Sequence, residues 1–452
     1  MLSDRIANTY SKFYTMRKLI LIVAAALSLT ACRENNSLSD SSAFEMESAS
    51  AEYITASSLP VTTVSGAITS NTVWSGVIEI DGIVIVKDGA TLTIQPGTFI
   101  KAKPRNGART GILVIAKTGK INAVGTESQP IIFTSYKLLD GTEDTAPSEG
   151  DFGGIIILGD APTNKPTTTV IDGLFGADYQ YGGVNAAHNA GTLKYVRIEF
   201  PGIDIGIIDY GYEISGLTLG GVGNGTTLDH IQVSYGKDDS FEFFGGTVNA
   251  SNLVSFAPDD DNFDFNLGYT GTISCALALA DYNSTHSISG GVTDTNGIEL
   301  GNDGTGSSAT PFTHPTVKNL TVVGAKNSLK GSLYENAIHV RRNGKLTLDN
   351  AVITGYPVGI LLETVSSSPV NLADFGFTAV QAHGFTFATA SKIGSTTAAF
   401  TIPGITTSTS NPANVWGMTQ PFFNEATTWN VSPRNCGDFK GTWTKYRFDI
   451  VQ

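Results

Sequence analysis

The chain has 452 residues, a formal net charge of −13 and 15% charged residues, where an ordinary globular domain carries about 25%. The acidity excludes nucleic acid as the expected partner and leaves cations and neutral glycans open. With Gly 50, Phe 23 and Tyr 15 against Met 4, the composition excludes a long-helix architecture and fits many short strands closed by tight turns.

The first element is a targeting device. Residues 16–32 read MRKLILIVAAALSLTAC: Arg17 and Lys18 give a positive start, and Leu19 to Leu29 an apolar run too short to span a bilayer in comfort. Met16 reads as the true start. Leu29-Thr30-Ala31-Cys32 resembles the lipobox of bacterial lipoproteins. That resemblance implies removal of residues 1–31 and attachment of palmitate-type acyl chains to Cys32, which becomes a membrane anchor. Arg33 follows the cysteine, and by resemblance to lipoprotein sorting this implies the outer membrane, on its periplasmic or cell-surface face. Residues 32–72 are rich in Ser, Thr, Asn and Ala and read as a flexible tether.

Strand patterning begins at Val73. Short alternating bursts, with Asp81-Gly82, Asp88-Gly89 and Pro96-Gly97 at the corners, predict strands with one face in a core. Ile83, Ile85, Leu92 and Ile94 are expected to point the same way. Residues 136–190 break this rhythm with Pro-, Gly- and Tyr-rich stretches and read as long loops, apart from a buried strand in GGIIILG at 153–159.

The clearest repeat runs over 226–268. At an offset of 22 residues, Asp239 falls on Asp261, Phe241 on Phe263, Glu242 on Asp264, Phe243 on Phe265 and Gly246 on Gly268. A strand-sized unit at this period cannot bury its apolar face alone and must stack on its neighbours. Further copies are Ile298-Glu299-Leu300, Ile338-His339-Val340 and Ile360-Leu361-Leu362, and a companion strand recurs as TLKYVRIEF, TLDHIQVSY, VKNLTVV and KLTLDNAVI. The pattern predicts an all-β, right-handed, single-stranded parallel β-helix over 73–364, with terminal coils and a cap over 365–452.

In this stack the central residues Glu242, Asp264, Glu299 and His339 form one outward column, ending at Leu361. Asp239, Asp261, Asn296 and Asn336 recur two residues before each strand, where a short side chain can bond the backbone of its own turn. The acidic cluster Asp238, Asp239, Glu242, Asp259, Asp260, Asp261 and Asp264 spans two adjacent coils, about 4.8 Å apart. Carboxylates at that spacing call for a cation, a raised pKa or a basic partner. Hard oxygen donors suit calcium, with Asp238, Asp239, Asp260 and Asp261 as candidate ligands and Glu299 and Asp303 as extensions. Asp239 and Asp261 read equally as corner caps. Arg341, two residues beyond His339, completes a candidate catalytic set with Glu242, Asp264, Glu299 and His339, either as a base in lyase chemistry or beside a carboxylate pair for glycoside hydrolysis. A salt-bridged solvated face accounts for the same residues. Tyr179, Tyr181, Tyr210, Tyr212 and Tyr235 are candidate sugar-stacking residues. Cys275 and Cys436, 161 residues apart, are a candidate disulfide in an oxidising compartment.

Over roughly 75–365 the segments YVRIEF, GLTLGGVGNGTTLDHIQVSYGKDDSFEFFGGTVNASNLV, DDDNFDFNLGYTG, HVRRN and GYPVGI resemble a family of surface-anchored β-helix proteins of the Bacteroidetes. The architecture is more distantly similar to pectate lyases, a likeness of fold that implies no particular activity. The sequence therefore leads to a surface lipoprotein presenting a β-helix for binding polysaccharide or another surface component. The alternatives are a calcium-assisted lyase or hydrolase of an acidic glycan, and a structural coat protein.

Overall fold

The computed structural model describes residues 51–104, 111–142, 145–171, 173–203, 214–280, 288–289, 292–325, 334–365, 368–385, 387–408, 434–437, 439, 443–446 and 448. Cys32 and the expected leader, residues 1–31, lie outside the described residues.

The chain is a parallel β-helix. Among the described residues its ladders are parallel, with antiparallel exceptions at Ile288–Ser289 with Val292–Thr293 and at Phe387–Ile393 with Thr396–Ala399. Each coil contributes to three stacks. One runs through Val196 on Ile231, Leu253, Ala276, Leu320 and Ala351. The second runs through Ile155, Leu217, Phe241, Phe263, Ile298, Ile338 and Ile360. The third runs through Leu193, Leu228, Ala250, Ile273, Val317 and Leu348. The 22-residue repeat is reproduced without a slip: Phe241 pairs with Phe263, Glu242 with Asp264 and Phe243 with Phe265.

Stacking identical side chains builds the interior. The rings of Phe241 and Phe263 lie 5.2 Å apart and 9° from parallel, and those of Phe243 and Phe265 lie 5.1 Å apart. All four are buried, and each contributes about 1.5–3 kcal/mol by leaving water. Gly246 and Gly268 follow these strands with φ of 87° and 90°, and a Cβ on Gly268 would meet the Pro311 carbonyl oxygen at 2.7 Å. Glycine recurs there because both the backbone conformation and the space exclude a side chain.

A second repeating corner joins the third stack to the first. Tyr195, His230, Asn252, Cys275, Asn319, Asn350 and Ala379 all have φ between 52° and 59°. One left-handed residue bends each coil here, which Asn tolerates best. Asn350 donates to Asn319 Oδ1 at 2.6 Å, and Asn252 to Asp229 Oδ1 at 2.7 Å. Cys275 occupies this column and forms a disulfide with Cys436, with Cα atoms 5.9 Å apart.

Three features differ from the sequence expectations. The ordered chain begins before Val73: residues 51–57 are helical, and Val61–Ile68 pairs with Val77–Val86. That strand is largely exposed on its side chains, so it carries no alternation and reads as tether, while its backbone joins the ladder. Ile83 and Ile85 do not share a face with Leu92 and Ile94. Val84 and Val86 enter the coil interior, whereas Ile83 and Ile85 point out beneath Ile171, Leu174 and Tyr181 of the long loop. A shift of one residue exchanges the faces, and here both faces are apolar. The described residues of the closing segment, 443–446 and 448, lie against the side of the stack. Trp443 packs on His230 and Tyr195, Tyr446 on Phe256, and Phe448 on Phe200 and Tyr235. The tyrosines, which suited sugar stacking and loop packing equally, are used for packing where described: Tyr181 is buried, Tyr179 packs against the same cluster and Tyr235 lies under the tail. Tyr210 and Tyr212 lie outside the described residues.

The tail meets the N-terminal helix. Lys445 exchanges two hydrogen bonds with Gln232, at 2.6 and 2.7 Å, and its Nζ reaches Glu52 at 3.1 Å. Glu52 also pairs with buried Arg197 at 2.7 Å, and Arg197 with Glu199 at 2.8 Å.

Candidate functional site

The outward column exists in the predicted order. Glu242 pairs with Asp264, Asp264 with Glu299, Glu299 with His339 and His339 with Leu361. Its environment differs from the solvated face expected: Asp264, Glu299 and His339 are 8%, 5% and 3% exposed. Only Glu242 of the four is half-buried. The cover comes partly from Arg341, whose Nη1 pairs with Asp294 Oδ2 at 2.7 Å and whose Nη2 pairs with Glu299 Oε1. Arg341 is therefore engaged on two carboxylates.

The Asp/Asn corner is chiefly a ladder between coils; within its own turn, Asn296 also donates to the Asp294 carbonyl at 2.6 Å. Asp239 Oδ1 accepts the Asp261 N–H at 2.9 Å, Asp261 Oδ1 accepts the Asn296 N–H at 2.5 Å, and Asn296 Oδ1 accepts the Asn336 N–H at 3.2 Å. Each side chain thus satisfies the main chain of the next coil where the loop has left the sheet. The recurring residue type was legible, but its partner depends on a neighbour 22 to 40 residues away.

The acidic cluster converges around this ladder. Asp238, Asp239 and Asp260 each place a carboxylate oxygen within 4.8 Å of the others, and so do Asp239, Glu242 and Asp264. Ser215 Oγ donates to Glu242 at 2.8 Å and Asp238 at 3.2 Å. Asp264 Oδ2 accepts from Asn266 at 2.7 Å, while its Oδ1 is buried without a hydrogen-bond partner. These acidic groups can hold a metal ion. Asp303 does not extend the cluster: its Oδ1 accepts the N–H groups of Thr305 and Ser307, both at 3.0 Å, to cap its own loop. Asp261 commits Oδ1 to the Asn296 backbone.

Electrostatics follow the packing. Burial and the neighbouring carboxylates push Asp239, Asp260 and Asp261 well above the usual range. Burial raises Asp264 to about 7, against the pull of Arg341 and Arg342. Burial and Asp264 raise Glu299 to about 8. At the other end, burial lowers His339, whose Nε2 lies 2.9 Å from Glu363 Oε2. The hydrogen bond from His339 brings Glu363 down to about 2, and Lys392 also pairs with Glu363 at 3.1 Å.

The sequence reading missed Ser215, Asp294 and Glu363, whereas Arg342, which stands beside Arg341 in the sequence, acts as a nearby charge on Asp264 and Glu299. Asp294 stands before Glu299 at the offset at which Asp259 stands before Asp264, so the repeat carried a signal for it, whereas Glu363 stands two residues past the apolar end of the column, where periodicity gives none. The only available signal for Glu363 was that it is charged beside a core strand.

The model of one protein family, described as a pectate-lyase-like β-helix domain, matches residues 66–431. Among curated proteins and among solved structures, none matches the chain.

Proposed function

The chain belongs to the family of pectate-lyase-like β-helix domains, and from that premise we propose that it is a surface scaffold that binds an anionic glycan through a divalent cation, with calcium as the ion. The ligands are Asp239, Glu242 and Asp264, with Asp238 and Asp260 beside them. The observation that carries this reading is Asp264 Oδ1, a buried carboxylate oxygen without a hydrogen-bond partner among converging carboxylates. A hard dication bound by oxygens satisfies that atom and offsets the repulsion, and it leaves coordination positions for carboxylates of the glycan.

Binding is preferred to catalysis because the candidate bases are engaged, Arg341 by Asp294 and Glu299 and His339 by Glu363, whereas the ion would meet the glycan on the side of the half-buried Asp238, Glu242 and Asp260. A lyase or hydrolase needs its acid and base within reach of substrate. We place the scaffold at the outer membrane, anchored through lipid on Cys32. Cys32→Ser is then expected to move the protein from the membrane fraction to the soluble fraction.

The test is a glycan array probed with the purified chain in calcium and in chelator. Binding to acidic glycans that is lost in chelator and in Asp264→Asn supports the reading. Binding that ignores both overturns it, and release of unsaturated or reducing ends transfers the site to the enzymatic alternative.

A further inference from the structure

The Arg341 end of the column holds a second constellation, different in chemistry from the all-oxygen cluster. Asp294, Glu299 and His339 each place one potential ligand atom within 4.8 Å of the other two. Donors on opposite sides of an ion with metal–ligand distances of about 2.0–2.2 Å lie about 4 Å apart. The three side chains come from separate segments: the stretch before Ile298, the strand Ile298–Leu300 and the strand Asn336–Val340.

His339 is the informative member. Its Nε2 faces Glu363 Oε2 at 2.9 Å, and Glu363 is in turn held by Lys392. A carboxylate against one ring nitrogen fixes the proton there and leaves the lone pair on the other. That other nitrogen, Nδ1, is buried and has no hydrogen-bond partner, in a side chain 3% exposed. Carboxylate, imidazole and metal in series is the arrangement by which proteins orient a ligating histidine. The two carboxylates of the group are bridged by the Arg341 guanidinium, whose Nε is buried and likewise without a partner.

We propose that Asp294, Glu299 and His339 form a second metal site, of mixed nitrogen and oxygen donors, that takes a dication of the zinc, cobalt or manganese class. Arg341 is its resident counter-ion and releases Asp294 and Glu299 when the metal enters. An imidazole donor favours these ions over calcium, and two carboxylates match the charge of a dication better than that of one guanidinium. Glu363 is a positioning residue that sets the His339 tautomer. The site is independent of the calcium reading, since it shares no ligand with Asp239, Glu242 and Asp264.

The experiment titrates the purified, disulfide-intact chain with Co²⁺, followed by its visible absorption bands, and with Zn²⁺ by calorimetry. One ion per chain is expected. His339→Gln should weaken binding at least about 100-fold, and Glu363→Gln about 10- to 100-fold. Arg341→Gln should tighten it, because the competing cation is gone; a misfolded protein would not bind more tightly. Asp264→Asn should retain Co²⁺ binding, its affinity changing far less than in His339→Gln, while removing the calcium response. Absence of Co²⁺ and Zn²⁺ binding at submillimolar concentration overturns the proposal. So does binding indifferent to His339→Gln, weaker binding in Arg341→Gln, or loss of Co²⁺ binding in Asp264→Asn.

Discussion

Asp264 and Glu299 stand side by side on adjacent parallel strands; burial raises the Asp264 carboxyl to about 7, and burial with the neighbouring Asp264 raises Glu299 to about 8. In the unfolded chain both ionise near pH 4. The folded state thus holds protons that the unfolded chain has already released, so stability falls as pH rises through the interval from about 4 to the raised values. In chelator, the melting temperature is expected to drop between pH 5 and pH 8 by at least about 2 °C. Calcium should flatten the profile. A melting temperature that rises over this interval in chelator would contradict the electrostatics described.

Asp264→Asn separates charge from shape. The amide retains a hydrogen-bonding group beside Asn266 and removes one like charge from the cluster. At pH 8 in chelator the variant is expected to melt above the parent protein, and addition of calcium should raise its melting temperature less. Thermal scans of both proteins with and without calcium check this pair of opposite signs.

The ladder at the corner predicts a contrast at Asp261. Its Oδ1 accepts the buried Asn296 N–H. Asp261→Ala leaves that donor unsatisfied and should cost about 1–3 kcal/mol. Asp261→Asn keeps an acceptor oxygen and relieves repulsion, so it should be neutral or stabilising. Urea unfolding of the two variants measures the difference, and equal losses would remove the ladder from the account.

The disulfide holds an aromatic tail against the wall. Cys436→Ser removes a cross-link spanning 161 residues and should cost about 2–5 kcal/mol. Trp443, now packed on His230 and Tyr195, should become more accessible to acrylamide quenching. Unchanged quenching with unchanged stability would mean that Lys445, Gln232 and the aromatic contacts hold the tail alone.

In the interior, Phe263→Ala opens a gap between Phe241 and the coil beyond. Its expected cost is about 3–5 kcal/mol. Loss of a similar size is expected at Phe241, because the two rings are one stack. The double variant should be less destabilised than the sum of the singles, which chemical denaturation of the three proteins tests.

The amino-acid sequence by itself determined the β-helix, the 22-residue register and the vertical order Glu242, Asp264, Glu299, His339. Each coil contacts its neighbours in the stack, so a repeat in sequence becomes a repeat in space with no further information. Only the tertiary structure decided that this column is buried. The covering group, Arg341 beyond a strand end, carries no period that places its guanidinium between Asp294 and Glu299. The same holds for the ladder, where Asp261 bonds the next coil and not its own turn. It holds too for the tail, since the meeting of Lys445 with Glu52 and Gln232 joins the two ends of the chain. Contacts made along the stacking axis follow from the repeat; contacts made across its outer surface depend on loops whose paths are set by what they find to pack against.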